Sequence, residues 1–247
     1  MFVAASTRNF VEKPFAEACY ILDDLGFDKI ELWFDDKHDH LNYRQILKDP
    51  DSFVARFRDA TRLSPIAISV DDEVPSDMLR GISKLAKQLR IAQITLPAAK
   101  LGTPFNSEVD RLRDCLKICS ADGVRVSIKI QTGHLTEDPD TAVELCRAAP
   151  GVGLTLDPSY LLCGPRKTED CEQVYPYVFH VHLRDSNPDA IQVPMGLGQI
   201  DFSRMVAQLE RHKYVRALSV ELIPDLMPID QRHIELRKIR YLMETLL

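Results

Sequence analysis

Hydrophobic and polar residues alternate with a period of two in a series of short runs, and each run is followed by a stretch of helical spacing. The sharpest run is Phe179-His180-Val181-His182-Leu183-Arg184-Asp185, in which Phe, Val and Leu alternate with His, His and Arg. Ser127-Ile128-Lys129-Ile130-Gln131, Gly153-Leu154-Thr155-Leu156-Asp157 and Leu218-Ser219-Val220-Glu221 share the habit, each ending its second parity on a polar or charged residue. A strand buried on both sides would point these ionisable side chains into an enclosed interior, which accepts charge only when it is partnered. Parity therefore predicts that Lys129, Asp157, His182 and Glu221 converge.

The pattern predicts strands at 2–7, 29–34, 66–70, 93–96, 125–130, 152–157, 179–185 and 217–222. Between and after them it predicts helices at 10–25, 51–62, 76–90, 106–121, 138–148, 168–175, 202–212 and 230–247. Gly26 and Gly123 read as C-terminal stops, Ser76 and Asp201 as N-terminal caps, and Pro139 as a first helical residue. Every strand is followed by a helix, and no Gly/Ser-rich or Pro-rich linker interrupts the 247 residues. Eight such units match one (β/α)₈ TIM barrel over residues 1–247 in count and length. A doubly wound open sheet explains less, because no Gly-rich phosphate turn follows the first strand. In the barrel, chemistry collects where strands end, which is where Lys129, Asp157, His182, Arg184 and Glu221 lie.

Composition narrows the class. A hydrophobic content of 45% and a charged content of 28% are those of an ordinary globular protein. The formal net charge of −6 argues against a nucleic-acid surface built on bulk charge. No apolar run reaches the roughly 20 residues of a membrane span. The first residues lack a basic n-region and read as a strand. The six cysteines form no CxxC pair and read as core side chains, so a reduced, cytoplasmic protein is expected.

Five stretches carry a resemblance in order along the chain: Leu135-Thr136-Glu137-Asp138-Pro139, Leu154-Thr155-Leu156-Asp157-Pro158-Ser159, His180-Val181-His182-Leu183-Arg184-Asp185, Gly196-Leu197-Gly198-Gln199-Ile200-Asp201-Phe202 and Ser219-Val220-Glu221. With Asp28-Lys29-Ile30-Glu31-Leu32-Trp33, the chain resembles the xylose isomerase-like barrel superfamily of sugar isomerases and epimerases related to endonuclease IV. The resemblance implies a divalent metal held by Glu, Asp, His and Glu from four successive strands, the two glutamates also acting as acid and base. Position by position, the last three ligands are Asp157, His182 and Glu221, and the first position holds Lys129. Gln131 and Tyr160 also stand where many relatives carry His.

An ammonium ion has no lone pair for a metal. Unit charges 4 Å apart interact by about 4 kcal/mol at an effective dielectric of 20, so Lys129 beside Asp157 and Glu221 supplies part of what a cation would. The readings that follow stay open. One is a sugar or hydroxy-acid isomerase or epimerase with Mn²⁺ or Zn²⁺ on Asp157, His182 and Glu221, and Glu221 as base. A second is a metal-free isomerase or lyase in which Lys129, its pKa raised by carboxylates, clamps an enolate oxygen rather than forming a Schiff base. The third is a non-catalytic sugar-binding barrel. A small sugar-like molecule is the expected partner; nucleic acid, membrane and nucleotide cofactor are not expected, and nothing singles out an oligomer.

Smaller expectations follow. Arg184 sits near the rim, to bind an anionic group or to pair with Asp185 or Glu221. Trp33 and Tyr160 stack on a sugar or fill the mouth. Glu31 faces inward as a partner for Lys129, and His180 is a hydrogen-bonded core histidine. His38 and His40 belong to a solvated lid edge, His134 lies in a loop beside Lys129, and residues 190–198 form a lid.

Overall fold

Eight strands, each hydrogen-bonded in parallel to the next, close into a barrel. In the computed structural model, which describes residues 1–167 and 171–247, they are β1 (Phe2–Ser6), β2 (Lys29–Phe34), β3 (Ser64–Val70), β4 (Gln93–Pro97), β5 (Arg125–Lys129), β6 (Gly153–Leu156), β7 (Val178–Leu183) and β8 (Ala217–Val220). Closure is made by β1 on β8, with Phe2 opposite Ala217 and Ala5 opposite Val220. The helices around it are α1 (Phe15–Asp24), α2 (Tyr43–Ile46), α3 (Pro50–Ala60), α4 (Ser76–Gln88), α5 (Phe105–Ser120), α6 (Pro139–Ala148), α7 (Pro158–Leu162), α8 (Phe202–Arg211) and α9 (Ile229–Leu246). The fold is a (β/α)₈ TIM barrel. Among the described residues no helix is long and apolar enough to cross a membrane.

The apolar parity of each strand packs outward against the helices. Ile30, Leu32 and Phe34 of β2, and Val181 and Leu183 of β7, are all buried in that layer. The other parity fills the lumen with polar groups, several of which pair with one another. Gln93 Nε2 donates to Ser127 Oγ at 2.7 Å, Ser127 meets Thr155 at 2.6 Å, and Thr155 meets Thr95 at 2.9 Å. This belt of hydroxyls comes from β4, β5 and β6. The parity that aims Ser127 inward aims Lys129 inward two residues later, toward the C-terminal mouth.

Several boundaries differ from the sequence expectation for identifiable reasons. The first helix begins at Phe15, after a 3₁₀ turn at Thr7–Phe10 and Pro14. Proline suits a helix start and interrupts a helix interior, so the span 10–25 could not be one helix. Ser76 is the first helical residue of α4 rather than its cap, because Pro75 takes the preceding position. The short α7, capped by Asp157 through Ser159 N, was not anticipated. Of the helix expected at 168–175, residues 168–170 lie outside the described residues and a 3₁₀ turn at Glu172–Tyr177 takes the rest. The stops at Gly26 and Gly123 have φ of +85° and +75°, and Asp138 and Asp201 cap α6 and α8. All six cysteines are thiols; burial pushes Cys19, Cys119 and Cys146 up to about 12.

The segment between β7 and α8, expected as a lid, is tied down. Asp185 Oδ2 accepts from Gly196 N at 2.8 Å and Gly198 N at 3.0 Å, while Oδ1 accepts from Ser186 N. Gln192 exchanges two hydrogen bonds with the backbone of Ile223. A Cβ on Gly198 would fall 1.8 Å from Asp185 Oδ1 and 2.6 Å from Ser186 O. Gly198→Ala is therefore expected to cost about 1–3 kcal/mol in urea denaturation and to open residues 186–199 to proteolysis. Leu197→Ala, at a residue 71% exposed, should stay within about 0.5 kcal/mol of the parent.

Candidate functional site

The residue directly after β8 is Glu221, fully buried at the mouth. Arg8 Nη1 donates to its Oε1 at 2.6 Å, and Lys129 Nζ donates to its Oε2 at 2.9 Å and Oε1 at 3.2 Å. His182 Nδ1 makes an ion-pair contact with Oε2 that lacks the direction of a hydrogen bond. Arg184 Nε donates to the Glu221 backbone carbonyl at 2.9 Å.

The charges continue outward from this carboxylate. His182 Nε2 lies 2.9 Å from Glu31 Oε1, and His180 Nε2 lies 2.6 Å from Glu31 Oε2. Arg184 Nη2 donates to Asp157 Oδ2 at 2.7 Å. Toward solvent, Arg8 Nη1 pairs with Asp71 Oδ2 at 2.7 Å, and Lys129 Nζ lies 4.0 Å from Asp71 Oδ1. Two aromatic rings floor and cover the cations. Arg8 stacks over Trp33 at 5.1 Å, while Lys129 and Arg184 approach the Tyr160 ring at 5.7 and 5.4 Å.

These contacts set the protonation states. Burial works against the His182 imidazolium, yet the charges of Glu221 and Glu31 outweigh it and raise its pKa to about 9. Burial likewise opposes the Glu221 carboxylate, but His182, Lys129 and Arg8 hold it well below the usual range. Burial would depress Lys129, and Glu221 and then Asp71 leave it raised. Near neutral pH, positive Arg8, Lys129, Arg184 and His182 therefore meet negative Glu31, Asp71, Asp157 and Glu221. The cluster balances with side chains alone.

Among the described residues two groups have ligand atoms close enough to share a metal: Glu31, His180 and His182, and Asp157, His182 and Glu221, each within 4.8 Å. Their donors are already engaged. Both oxygens of Glu221 face cations, Asp157 Oδ2 faces Arg184, and its Oδ1 accepts from Ser159 N. His182 is engaged on both sides of its ring, Nε2 by Glu31 and Nδ1 by Glu221. A dication would have to displace fixed positive side chains, so the residues as arranged do not fit it.

The sequence expectation of convergence holds for Lys129, Asp157, His182 and Glu221, but the pairing differs. Lys129 faces Glu221 and Asp71, whereas Asp157 is taken by Arg184. Arg184 is wholly buried rather than at the rim, and Asp185 binds backbone amides instead of it. Glu31 pairs with the two histidines of β7, not with Lys129, because it lies a layer deeper. His180 is the core histidine expected. His38 is half exposed and contacts Asp35, while His40 is buried.

Arg8 and Asp71 were not anticipated. Asp71 obeys the rule that exposed the others, strand parity read just past a strand's C-terminal end, whereas Arg8 lies in the 3₁₀ turn after β1, where that parity no longer applies. Around them the buried atoms without a hydrogen-bond partner among the described residues include Trp33 Nε1, Asp71 Oδ1, Gln131 Oε1 and Arg184 Nη1, and also His182 Nδ1, Ser159 Oγ and Ser219 Oγ. Of these residues only Asp71 also lines a cavity of about 350 Å³, whose other walls include Asp72, Glu73, Lys100, Arg111 and His134.

The family description "Xylose isomerase-like TIM barrel" matches residues 19–240. The chain belongs to that family. Similar solved structures include a probable 3-DHS dehydratase, AsbF, from Bacillus anthracis (TM-score 0.76, 16% identity, covering 97% of this chain and 98% of that one). A xylose isomerase domain protein from Planctomyces limnophilus gives a TM-score of 0.76 at 17% identity, covering 100% and 96%. A D-psicose 3-epimerase from Clostridium cellulolyticum H10, solved with D-tagatose, gives 0.77 at 12%, covering 100% and 99%. At such identities the likeness is one of fold. No curated protein matches the sequence.

The site's charges make stability depend on pH in a defined direction. A histidine raised from 6.5 to about 9 contributes stability that is fully present below pH 6.5 and lost as pH rises through 9, on the order of 3 kcal/mol. Urea denaturation should show the loss between pH 7 and pH 9.5, and His182→Gln should flatten that slope. Glu31 and Glu221, both lowered, give the opposite limb: their contribution is present above pH 4.5 and fades on acidification.

Proposed function

We propose that the barrel mouth takes a small sugar-like polyol and holds it without a divalent metal, with Lys129 supplying the fixed positive charge. The observation that carries this reading is the set of four unpartnered polar atoms at the mouth. Trp33 Nε1 and Arg184 Nη1 are donors, and Asp71 Oδ1 and Gln131 Oε1 are acceptors. A mixed set suits hydroxyl groups, which both give and accept, and Asp71 joins it to a cavity of about 350 Å³. Tyr160 and Trp33 offer ring surface to the apolar face of such a ligand. The structures of sugar epimerases that share the fold point the same way.

Isomerase- or epimerase-type proton transfer is the second reading, and Asp71 favours it. Its carboxylate is partly exposed, has one free oxygen, and stands 4.0 Å from the Lys129 ammonium, so a base and a clamp for an enolate oxygen lie side by side. Glu221 is less suited to be the base, since Arg8, Lys129 and His182 all stabilise its ionised form. Lys129, kept protonated, is likewise a poor Schiff-base nucleophile.

Calorimetric titration with a panel of ketohexoses and pentoses tests the binding reading. At least one sugar should bind, and Gln131→Leu should weaken it about tenfold. Failure of every sugar at millimolar concentration would sink the proposal. Protein purified without chelator should carry well under a tenth of an equivalent of Mn or Zn, whereas Lys129→Glu, which restores a carboxylate beside Asp157, His182 and Glu221, should gain a metal. One equivalent in the parent protein would show that side chains move aside for an ion. Asp71→Asn should abolish any exchange of a bound sugar's C–H with deuterated solvent.

A further inference from the structure

The end of the barrel where the strands begin, opposite the mouth, carries a second cavity of about 260 Å³. It shares no lining residue with the cavity that Asp71 joins. Phe2 at the start of β1, Ile66 in the first half of β3 and Val215 just before β8 give it apolar walls. Arg90 before β4, Arg125 at the start of β5 and Arg216 before β8 also line it. Among the described residues no aspartate or glutamate does.

The three guanidinium groups keep their charge unmatched. Among the described residues none of them has a carboxylate within ion-pair distance, and the one oxygen their side chains engage is the Val178 carbonyl, 3.5 Å from Arg216 Nη1. Arg216 is held by two rings, its guanidinium lying 5.1 Å from the centre of Phe179 and 5.8 Å from that of Tyr214. Phe179 is pinned in turn on Gly153, where a Cβ would fall 2.2 Å from its ring. A guanidinium has five N–H donors, so most of this fork stays open, and Arg90 and Arg125 are exposed. The groups also feel one another: burial and then the charge of Arg216 lower the pKa of Arg125. Cations gathered on one cavity without an anion repel, and a bound anion removes that cost. A phosphate group brings close to two negative charges and three acceptor oxygens, which guanidinium forks match, while the apolar walls suit a hydrophobic body behind it.

We infer that this cavity is a second ligand site, taking a phosphate monoester whose organic part is apolar. The test follows amide chemical shifts of the full chain during titration with phenyl phosphate, with inorganic phosphate, which lacks the ring, and with benzoate, which carries one charge. Phenyl phosphate should move residues 2, 66, 90, 92–93, 125 and 215–217, and each of the other two should bind about tenfold more weakly. Arg125→Gln and Arg90→Gln should each weaken phenyl phosphate by about tenfold; both positions are exposed, so these variants keep the test decisive where Arg216→Gln fails to fold. Arg113→Gln, at an exposed position on α5 outside the cavity, should leave the affinity unchanged. Absence of binding at millimolar phenyl phosphate, shifts confined to the mouth, a control ligand that matches phenyl phosphate, or equal weakening by Arg113→Gln would overturn the inference.

Discussion

A carboxylate sealed in the interior of a barrel needs partners, and Glu221 governs much of what surrounds it. Arg8, Lys129 and His182 converge on its two oxygens, and each brings a further anion with it. His182 calls for Glu31, and Arg8 and Lys129 call for Asp71. Removing one member of such a buried set strands its neighbours, which typically costs about 3–5 kcal/mol. The arrangement is thus a mutual constraint on six strands. It positions the mouth as firmly as packing does, because each ion pair spans two strands of the closed sheet.

The barrel and the convergence were legible in the sequence because both rest on periodicity. Period two in β5 to β8 announced which side chains face the lumen, and the strand ends announced which of them reach the mouth. What could not be read was the pairing. Parity gives direction but not depth, so Glu31 could be aimed inward without revealing that it lies level with His180. Arg184 looked like a rim residue because it follows the last residue of β7, yet it is buried against Asp157. Arg8 escaped notice because it lies in a 3₁₀ turn beyond the reach of strand parity, and Asp71 because Ser69, the residue before it on the same parity, carries no charge. Pro14 was the one helix signal in plain view that the reading of residues 10–25 passed over.

Family membership and site chemistry separate in this chain. The fold is shared with sugar epimerases and a probable dehydratase at identities of 12–17%, so shape has outlasted most of the side chains. At the mouth the donors Asp157, His182 and Glu221 remain, but each is engaged by a neighbour of opposite charge or by a backbone amide. Three donors within reach of one another are therefore not sufficient evidence for an ion.

The internal balance of charge also bears on biogenesis. A centre that needs an inserted ion leaves the newly made chain with repelling carboxylates until delivery occurs, and its maturation follows metal supply. Under the proposed metal-free reading every partner is encoded in the polypeptide, and the mouth would reach its final shape as the barrel closes. Starvation for manganese or zinc, or exposure to chelators, would then leave such a chain mature, with no insertion step between synthesis and the working state.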